Sequence, residues 1–541
     1  MKRDLARIAA DAWDVAIVGG GIYGVCAAHE AALRGLSVCL LESGDFGGGT
    51  SSQSLKVVHG GLRYLQHGDV ARTLESIRER RTLLRIAPGI VRPMACVMPT
   101  YGHGLRGREV LGVGVALGDL VGLRRNVGVA PGRRIPRGQL LSRADTLARC
   151  PGIERLGLTG GALWWDALSR STERLLLAFL RTALSNGAAA ANHVAVTGLL
   201  RDGAAVTGVR ARDELTGEPF DVRAKLVLNA AGPFVDDLLA TLGHPPRTPL
   251  FPQSKALNLV TRRSPPEVAV AIASRARFED RDALLAAGSR LFFVVPWRGL
   301  TLLGTRHLPW DGRPETFRVT EADVATFLGE VNAAWPGAGL VRDDVIGVYG
   351  GILPRTPTSG AADEVQLAKH ATLVDHGRRD GIPGLVTVVG VKWTTARGVA
   401  ETTVEHLAAQ LGRVAGPRLG RTTPLIGAAL GDDDGAHDPE RARPLAALAR
   451  TSPALGTAVH PASRVTGAEL VYAAREELAQ RLDDVWLRRT ELYLERPLDC
   501  AAIARSAELM GGELGWSEGR RADEIARCEA ALRRFAGSGE R

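Results

Sequence analysis

Asp14-Val-Ala-Ile-Val-Gly-Gly-Gly-Ile-Tyr-Gly24 is the stretch that decides the fold. Asp14–Val18 is a short β-branched run, as expected of a parallel strand buried on both faces. Gly19-Gly20-Gly21-Ile22-Tyr23-Gly24 then satisfies G-x-G-x-x-G. A helical segment follows from Val25 through Arg34, with Ala27, Ala28 and Ala31 where a helix must lie close on a sheet, and Gly35 ends it as a C-cap. A second strand, Ser37–Leu41, runs into Glu42. Gly19 allows the tight turn, Gly21 lets backbone approach a pyrophosphate, and Gly24 permits close helix–strand packing. The helix N-terminus offers free N–H donors and a positive dipole to the phosphates. Glu42, 18 residues past Gly24, can accept hydrogen bonds from a ribose diol. Strand, glycines, helix, strand and acid in this order predict a dinucleotide-binding unit.

Working outward, the chain does not continue as a simple alternation of strands and helices. It enters Ser43-Gly-Asp-Phe-Gly-Gly-Gly-Thr-Ser-Ser52, a polar loop suited to wrapping an extended ligand, which favours FAD over NAD. Then come Ser54, Lys56, His59, Gly60, Gly61, Leu62, Arg63, Tyr64, Leu65, His67, Gly68 and Asp69. Together with Thr50, Ser51 and Ser52 they form the string TSSxSxKxxHGGLRYLxHGD, which resembles the flavin-proximal segment of FAD-dependent glycerol-3-phosphate dehydrogenases. These belong to the D-amino-acid-oxidase-like flavoproteins.

Further segments resemble the same family in the same order. Asp221–Asn229 reads as a strand, and Ala230-Ala-Gly-Pro-Phe234 is similar to the family's N-A-A/T-G-P-W element, with Phe234 for Trp. Leu291–Trp297 and Leu302–Thr305 resemble the paired strands of the substrate domain, with Arg306 where the family usually has an acid. Leu385–Val389 is a buried strand, and Gly390-Val-Lys-Trp-Thr-Thr-Ala-Arg397 resembles the last flavin-contacting motif, with Val391 for its second glycine. Glu469–Glu477 and Asp484–Thr490 resemble the C-terminal helical cap.

The resemblance implies an α/β fold: a Rossmann-like FAD-binding domain, an antiparallel-sheet substrate domain and a C-terminal helical domain. The expected FAD-binding pieces are 11–90, 166–240 and 346–415. A cap segment at 91–165 and residues 241–345 would form the substrate side, with a linker at 416–443 and helices over 444–541. FAD contacts are expected at Gly19, Gly21, Gly24, Glu42, Thr50, Ser51, Ser52, His59, Gly60, Gly61, Ala231, Gly232, Gly390, Thr394 and Thr395.

The implied reaction is hydride transfer from a secondary alcohol carbon to flavin N5, with a base taking the hydroxyl proton. His59, Arg63 and Lys392 are the candidate catalytic residues. Imidazole suits the base near pH 7, so His59 is preferred; the alternative is a histidine that only bonds the loop backbone. The substrate side departs from the family. Leu353 stands at its G-x-R-P arginine, Lys369-His370-Ala371 meets a second phosphate-binding arginine with its acid and aromatic, and Ser254-Lys-Ala-Leu257 meets K-G-S-H. Lys255, Arg290, Arg355 and Lys369 are the cations expected to restore an anion site beside Arg63, Tyr64 and Lys392. Trp164-Trp165-Asp166 is either pocket wall or core. Glycerol 3-phosphate is the leading substrate, and a different polyol, polyol phosphate or hydroxy acid, or a protein with vestigial redox activity, is the alternative. A quinone or another acceptor would take the electrons.

Length and composition set the outer limits. At 541 residues the chain exceeds one core, and its 45% apolar and 23% charged residues are those of a soluble globular enzyme. The formal charge of +9 comes from scattered arginines, without the concentrated basic face of a nucleic-acid binder. The densest run is Arg124, Arg125, Arg133, Arg134 and Arg137, read as a loop and a candidate contact for an anionic membrane surface. Six cysteines without metal-ligand spacing, and no signal peptide, point to reduced thiols, no metal and a cytoplasmic location. No apolar run reaches the ~18 residues of a membrane span, so contact with the inner face of a membrane would be peripheral. A homodimer is left open.

Overall fold

The computed structural model describes residues 1–65, 68–103, 107–243, 250–275, 290–356, 365–430, 439–494 and 499–537, with the side chains of Arg63, Leu65 and Pro439 outside that description. The chain divides into two compact units.

One unit comprises Met1–Ser52, Thr172–Pro252 and Ala368–Arg534. Its sheet runs in the order Thr372–Asp375, Leu385–Val389, Pro219–Asn229, Ala12–Val18, Val38–Leu41 and Ala189–Ala191. The pairings from Leu385–Val389 to Ala189–Ala191 are parallel. Leu385–Val389 and Val38–Leu41 are buried along their whole length, which is why they carry unbroken apolar runs rather than alternation. The hairpin Val194–Asp202 and Ala205–Asp213 extends Pro219–Asn229 on its antiparallel side. The helix Ile22–Leu33 follows the first strand, and Gly35 after it sits at φ +76°, the left-handed position of a helix stop. Helices Pro439–Ala449, Gly467–Glu476, Cys500–Leu514 and Glu518–Phe535 form the C-terminal part. The first of these starts inside the stretch expected to be a linker.

The other unit comprises Gln53–Ser171, Gln253–Leu367 and Phe535–Arg541. Its nine-stranded sheet runs Val345–Pro354, Gln253–Thr261, Leu300–Trp310, Leu291–Trp297, Ala269–Ala273, Val91–Tyr101, Leu158–Ser169 and Val57–Val58, with Gln139–Leu141 beside Leu158–Ser169. It is antiparallel except where Ala269–Ala273 pairs with Cys96 and Val97, so the sheet is mixed. The boundaries differ from the expected ones for a simple reason: strand pairing, not sequence proximity, assigns each segment. Val57 and Val58 pair with Leu168 and Ala167, which draws 53–90 to this unit. Val345–Pro354 pairs with Gln253–Thr261 and does the same for 346–354. The helix Glu321–Ala334 sends Val324, Phe327, Leu328 and Val331 into one core with Leu257, Leu259, Phe292 and Val294.

Candidate functional site: a nucleotide cradle and a histidine–aspartate pair

The strand Ala12–Val18 delivers the glycine turn to the end of the parallel sheet. A Cβ on Gly24 would lie 1.9 Å from the Gly19 carbonyl oxygen, so no larger residue allows the helix to leave the strand at this angle. Ala230 N–H bonds the Val18 carbonyl at 2.8 Å and Gly19 N–H bonds that of Leu41 at 2.8 Å, which brings Ala231 and Gly232 beside the turn. Glu42 accepts from the backbone N–H of Gly20 at 2.6 Å and of Gly44 at 2.8 Å. Burial pushes its carboxyl above the usual carboxylate range against those two bonds. The Ser43–Ser52 loop folds back on the turn: Gly47 N–H reaches the Gly20 carbonyl at 3.0 Å, and Ser51 Oγ accepts from Ile22 N–H at 2.9 Å. Ser52 N–H bonds the Gly47 carbonyl at 3.1 Å.

The same unit carries the Gly390–Arg397 segment. Tyr23 Oη accepts from the N–H groups of Val391 and Lys392, each at 3.0 Å, and donates to the Lys392 carbonyl at 2.7 Å. Burial raises its pKa to about 12, so the phenol stays a neutral donor. A Cβ on Gly390 would meet the Tyr23 ring at 2.0 Å, which explains the glycine there. Thr394 and Thr395 are buried where the helix Ala396–Gln410 begins, and Lys392 is half-buried. Tyr23 thus ties the glycine turn to a segment some 370 residues away, a role the sequence reading missed. Its place inside the G-x-G-x-x-G variable pair was the one signal available.

In the other unit, the segment after Val58 places His59 against Phe293, ring centroids 5.7 Å apart, and Phe293 also meets Trp164 edge-on at 6.4 Å. His59 Nδ1 faces Asp166 Oδ2 at 3.4 Å. Asp166 Oδ1 accepts from Gly60 N–H at 2.6 Å and from Arg80 Nη1 at 3.0 Å. Burial alone would raise the pKa of Asp166; the bonds from His59, Arg80 and Gly60 outweigh it and hold the group below the usual carboxylate range. The Gly61 carbonyl holds the next turn, accepting from Tyr64 N–H at 2.9 Å and from the Thr73 hydroxyl at 3.3 Å. The Tyr64 ring lies under the Arg72 guanidinium at 4.0 Å. Arg63 stands in the short helix Leu62–Leu65, and its side chain, like Gln66 and His67, lies outside the described residues.

Comparison with known proteins places this geometry. A family model described as FAD dependent oxidoreductase matches residues 14–406. The chain belongs to that family. A second model, the C-terminal domain of alpha-glycerophosphate oxidase, matches residues 440–521 of this FAD-dependent oxidoreductase. A relative named glycerol-3-phosphate dehydrogenase from Synechocystis sp. is 31% identical, covering 95% of both chains. The mouse protein named glycerol-3-phosphate dehydrogenase, mitochondrial, is 30% identical over 95% of this chain and 72% of its own. Among solved structures, the glycerol-3-phosphate dehydrogenase from Bacillus halodurans complexed with FAD superposes with a TM-score of 0.70 at 22% identity, covering 99% and 97% of the two chains. That likeness bears on the fold.

The residues of the oxidoreductase fit FAD. A Cβ on Gly21 would meet only the Ser51 hydroxyl, at 3.1 Å, so the helix entrance is kept clear by the lack of a side chain. Gly19, Gly21, Gly24, Ala231 and Gly232 are the residues that would hold the dinucleotide at this turn, Glu42 at the second strand end would meet the ribose, and Thr50, Ser51 and Ser52 would offer hydroxyls. Gly390, Lys392, Thr394 and Thr395 would serve the ring in the same way.

The candidate substrate cations separate by sheet face. Ser254 pairs with Leu353 and Lys255 with Ile352, and side chains alternate between faces along a strand. Lys255 therefore points away from Leu353, toward the helix Glu321–Ala334, where its Nζ meets Asp323 Oδ2 at 2.8 Å. Arg306, on that same face, meets Glu330 Oε1 at 3.2 Å. Leu353 shares the opposite face with Asn258 and Tyr349, which hold the segment leading to His59: Asn258 Nδ2 donates to the Gln53 carbonyl at 3.0 Å, and Lys56 Nζ lies 4.7 Å from the Tyr349 ring centre. His307, opposite Ala256, is also on this face. Arg355 binds Asp311 at 3.1 Å and the Gln253 carbonyl at 2.8 Å. Arg290 is half-buried just before Leu291–Trp297, and Lys369 is exposed before Thr372–Asp375 in the nucleotide unit.

Proposed function

We propose that the protein oxidises the secondary alcohol of glycerol 3-phosphate to dihydroxyacetone phosphate, with FAD as cofactor and a quinone as electron acceptor. When bound, FAD supplies the hydride acceptor. The observation that carries the reading is the pairing of Asp166 with His59 of the segment that resembles glycerol-3-phosphate dehydrogenases, supported by relatives of that name over nearly the whole chain. A carboxylate only accepts, so Asp166 selects the tautomer with hydrogen on Nδ1 and leaves Nε2 to take the hydroxyl proton. Phe293, itself backed by Trp164, packs against the His59 ring. Arg63 orients the substrate, and Lys392 adds positive charge at its turn. Lys255 and Arg355 already neutralise Asp323 and Asp311, which counts against them as partners for the anionic end; Arg63, Tyr64 and Arg290 are the residues proposed for it.

One observation favours a second reading. Leu353 puts an apolar side chain on the face that carries the Gln53–His59 segment, at the position of the family's arginine. A different polyol, polyol phosphate or hydroxy acid would fit that change. Anaerobic mixing of the flavinated protein with glycerol 3-phosphate and with a panel of polyols and hydroxy acids separates the readings. Bleaching of the flavin band by glycerol 3-phosphate is expected; bleaching only by another alcohol selects the second reading, and bleaching by none leaves a vestigial flavoprotein.

We also propose a peripheral membrane contact. Among the described residues no helix is long and apolar enough to cross a membrane. The helix Arg108–Val121 instead exposes Val113, Leu117 and Leu120 as one stripe, with Leu123 and Val127 beyond it. Arg124, Arg134 and Arg137 are exposed nearby, while Arg125 and Arg133 bond the carbonyls of Ile135 and Pro88. Co-sedimentation with anionic vesicles, lost in Leu117→Glu/Leu120→Glu, is expected. A protein that stays in the supernatant and sediments as a homodimer would assign the stripe to a second copy.

A further inference from the structure

The matched C-terminal model covers helices with no assigned part in the chemistry, yet they place two arginines against the cofactor loop. We propose that Arg488 and Arg489 are positioning residues for FAD: they lock Asp45, and through it the Ser43–Ser52 loop, in the shape that holds the dinucleotide. The inference rests on the FAD reading above and adds a task for the C-terminal region.

Asp45 is the sole charged residue of that loop, and it is 3% exposed. Arg489 grips it with both terminal nitrogens, Nη1 to Oδ2 and Nη2 to Oδ1, each at 2.7 Å. Arg488 Nε adds a third bond at 2.5 Å and Asn192 Nδ2 a fourth at 2.9 Å. The planar fork of arginine matches a carboxylate in this way and lysine does not. The arginines are themselves fixed. Arg488 Nη2 bonds Asp484 Oδ1 at 2.9 Å, and Asp484 Oδ2 meets His193 Nε2 at 2.9 Å and accepts from the N–H groups of Gln480 and Arg481. Arg489 Nε bonds the Glu477 carbonyl at 3.0 Å, and the Glu477 carboxylate is held by Arg174 at 2.5 Å and Arg441 at 3.1 Å. Asp45, His193 and Asp484 present ligand atoms within 4.8 Å of one another, a grouping that resembles a metal site, but guanidinium groups supply the positive charge between the acids.

The loop needs such an anchor. Gly47, Gly48 and Gly49 leave it a large backbone entropy to lose on ordering, and it has no strand or helix of its own. What it does for the cofactor passes through Phe46, against Gly20, and Ser51, on Ile22 N–H. Asp45 sits directly before Phe46. Removing Arg489 takes the two-pronged grip from a buried carboxylate and leaves it to Arg488 and Asn192, so the loop is held less firmly.

The test uses the full-length holoprotein. Arg489→Met, Arg489→Lys, Arg488→Gln and Asp45→Asn are compared with Arg475→Gln, which breaks the Arg475–Glu513 ion pair at the outer surface of the same helices. Flavin fluorescence on dilution gives the FAD dissociation constant, and amide exchange of residues 43–52 reports the loop itself. Arg489→Met is expected to weaken FAD binding about ten- to a hundredfold, the factor of one to two charge-assisted bonds. Arg489→Lys should recover part of that loss, and the double variant with Asp45→Asn should lose less than the two singles together. Exchange over 43–52 should rise, while KM for the alcohol at saturating FAD stays unchanged. Arg475→Gln should match wild type. If Arg489→Met does not fold, Arg488→Gln and Asp45→Asn carry the same two readouts. Unchanged FAD affinity and unchanged exchange in the folded variants would overturn the lock. A wild-type chain that binds no FAD would instead overturn the proposed function, and exchange over 43–52 would still decide whether the arginines hold the loop.

Discussion

The nucleotide cradle and the substrate sheet differ in what fixes them. In the cradle, contacts made to the backbone decide: Gly24 against the Gly19 carbonyl, the Ser51 hydroxyl on Ile22 N–H, the Glu42 carboxylate on Gly20 N–H. On the sheet, the face of a strand decides: Lys255 and Leu353 belong to paired strands, yet one faces Asp323 and the other the side that holds Gln53. A backbone constraint is tied to glycines at fixed spacing and tolerates little change. A face can be re-equipped one side chain at a time, and the sequence reading puts the departures from the family motifs on this side.

The largest effect should come from breaking the cradle. Gly24→Val drives a branched side chain into the Gly19 carbonyl, and the purified protein should carry no flavin, read as the ratio of flavin to protein absorbance. A yellow Gly24→Val protein would mean the helix can shift, and the contrast between the regions would fail.

The next effect sharpens the sheet side. Asp166→Asn keeps the shape but loses the charge facing His59 and Arg80, and should slow flavin reduction by about ten- to a hundredfold, the cost of one or two charge-assisted bonds. Asp166→Glu should recover part of the rate, and FAD content should not change. Restoring the missing cation is a finer probe. Leu353→Arg should lower KM for glycerol 3-phosphate about tenfold or more, the gain from one charge-assisted contact. Lys255→Ala should leave KM alone and lower thermal stability, because Lys255 serves Asp323. The reverse pair of results would reassign the faces.

Acid stability bears on the nucleotide unit, where His29 and Glu477 are both strongly shifted. Burial, with Arg397 nearby, lowers the pKa of His29 to about 3, against an ordinary value near 6.5. Below pH 6.5 the unfolded chain takes up a proton that the folded chain refuses until about pH 3, so stability falls as pH drops through that window. Glu477 follows: burial opposes ionisation, but Arg174, Arg441 and Arg489 lower its pKa to about 2, so its contribution is full above about pH 4.5 and is lost down to pH 2. Thermal melts across pH 3–7 should show the first slope, and His29→Leu should flatten it. The smallest effect is expected of Tyr23→Phe, which loses the three hydroxyl bonds to Val391 and Lys392 and should weaken FAD binding by roughly fivefold, a net cost of about 1 kcal/mol.

How far the sequence could be read follows the same division. Strand, glycine turn, helix and acid were all legible between Asp14 and Glu42, because each constraint is local. Leu385–Val389 was legible as a strand, Asp221–Asn229 was legible as most of the strand Pro219–Asn229, and the C-terminal helical part was legible too. The assignment of 53–90 to the sheet unit was not, since it depends on Val57–Val58 finding Leu168 more than a hundred residues on. Lys255 and Arg355 were read as anion-site cations by residue type; their carboxylate partners Asp323 and Asp311 come from other elements. Asp166 was visible only as part of an aromatic run, and its contact with His59 depends on that same strand pairing. Tyr23 and the Asp45–Arg489 bond join residues hundreds apart, and no periodicity marks such pairs.

The most direct test of the account is rapid anaerobic mixing of fully flavinated His59→Ala and wild-type protein with saturating glycerol 3-phosphate. The account predicts that the variant keeps its FAD and that its flavin is reduced slower by about 10²–10⁴-fold, the range for loss of a general base. Equal reduction rates would contradict it and leave His59 as a residue that only shapes the loop.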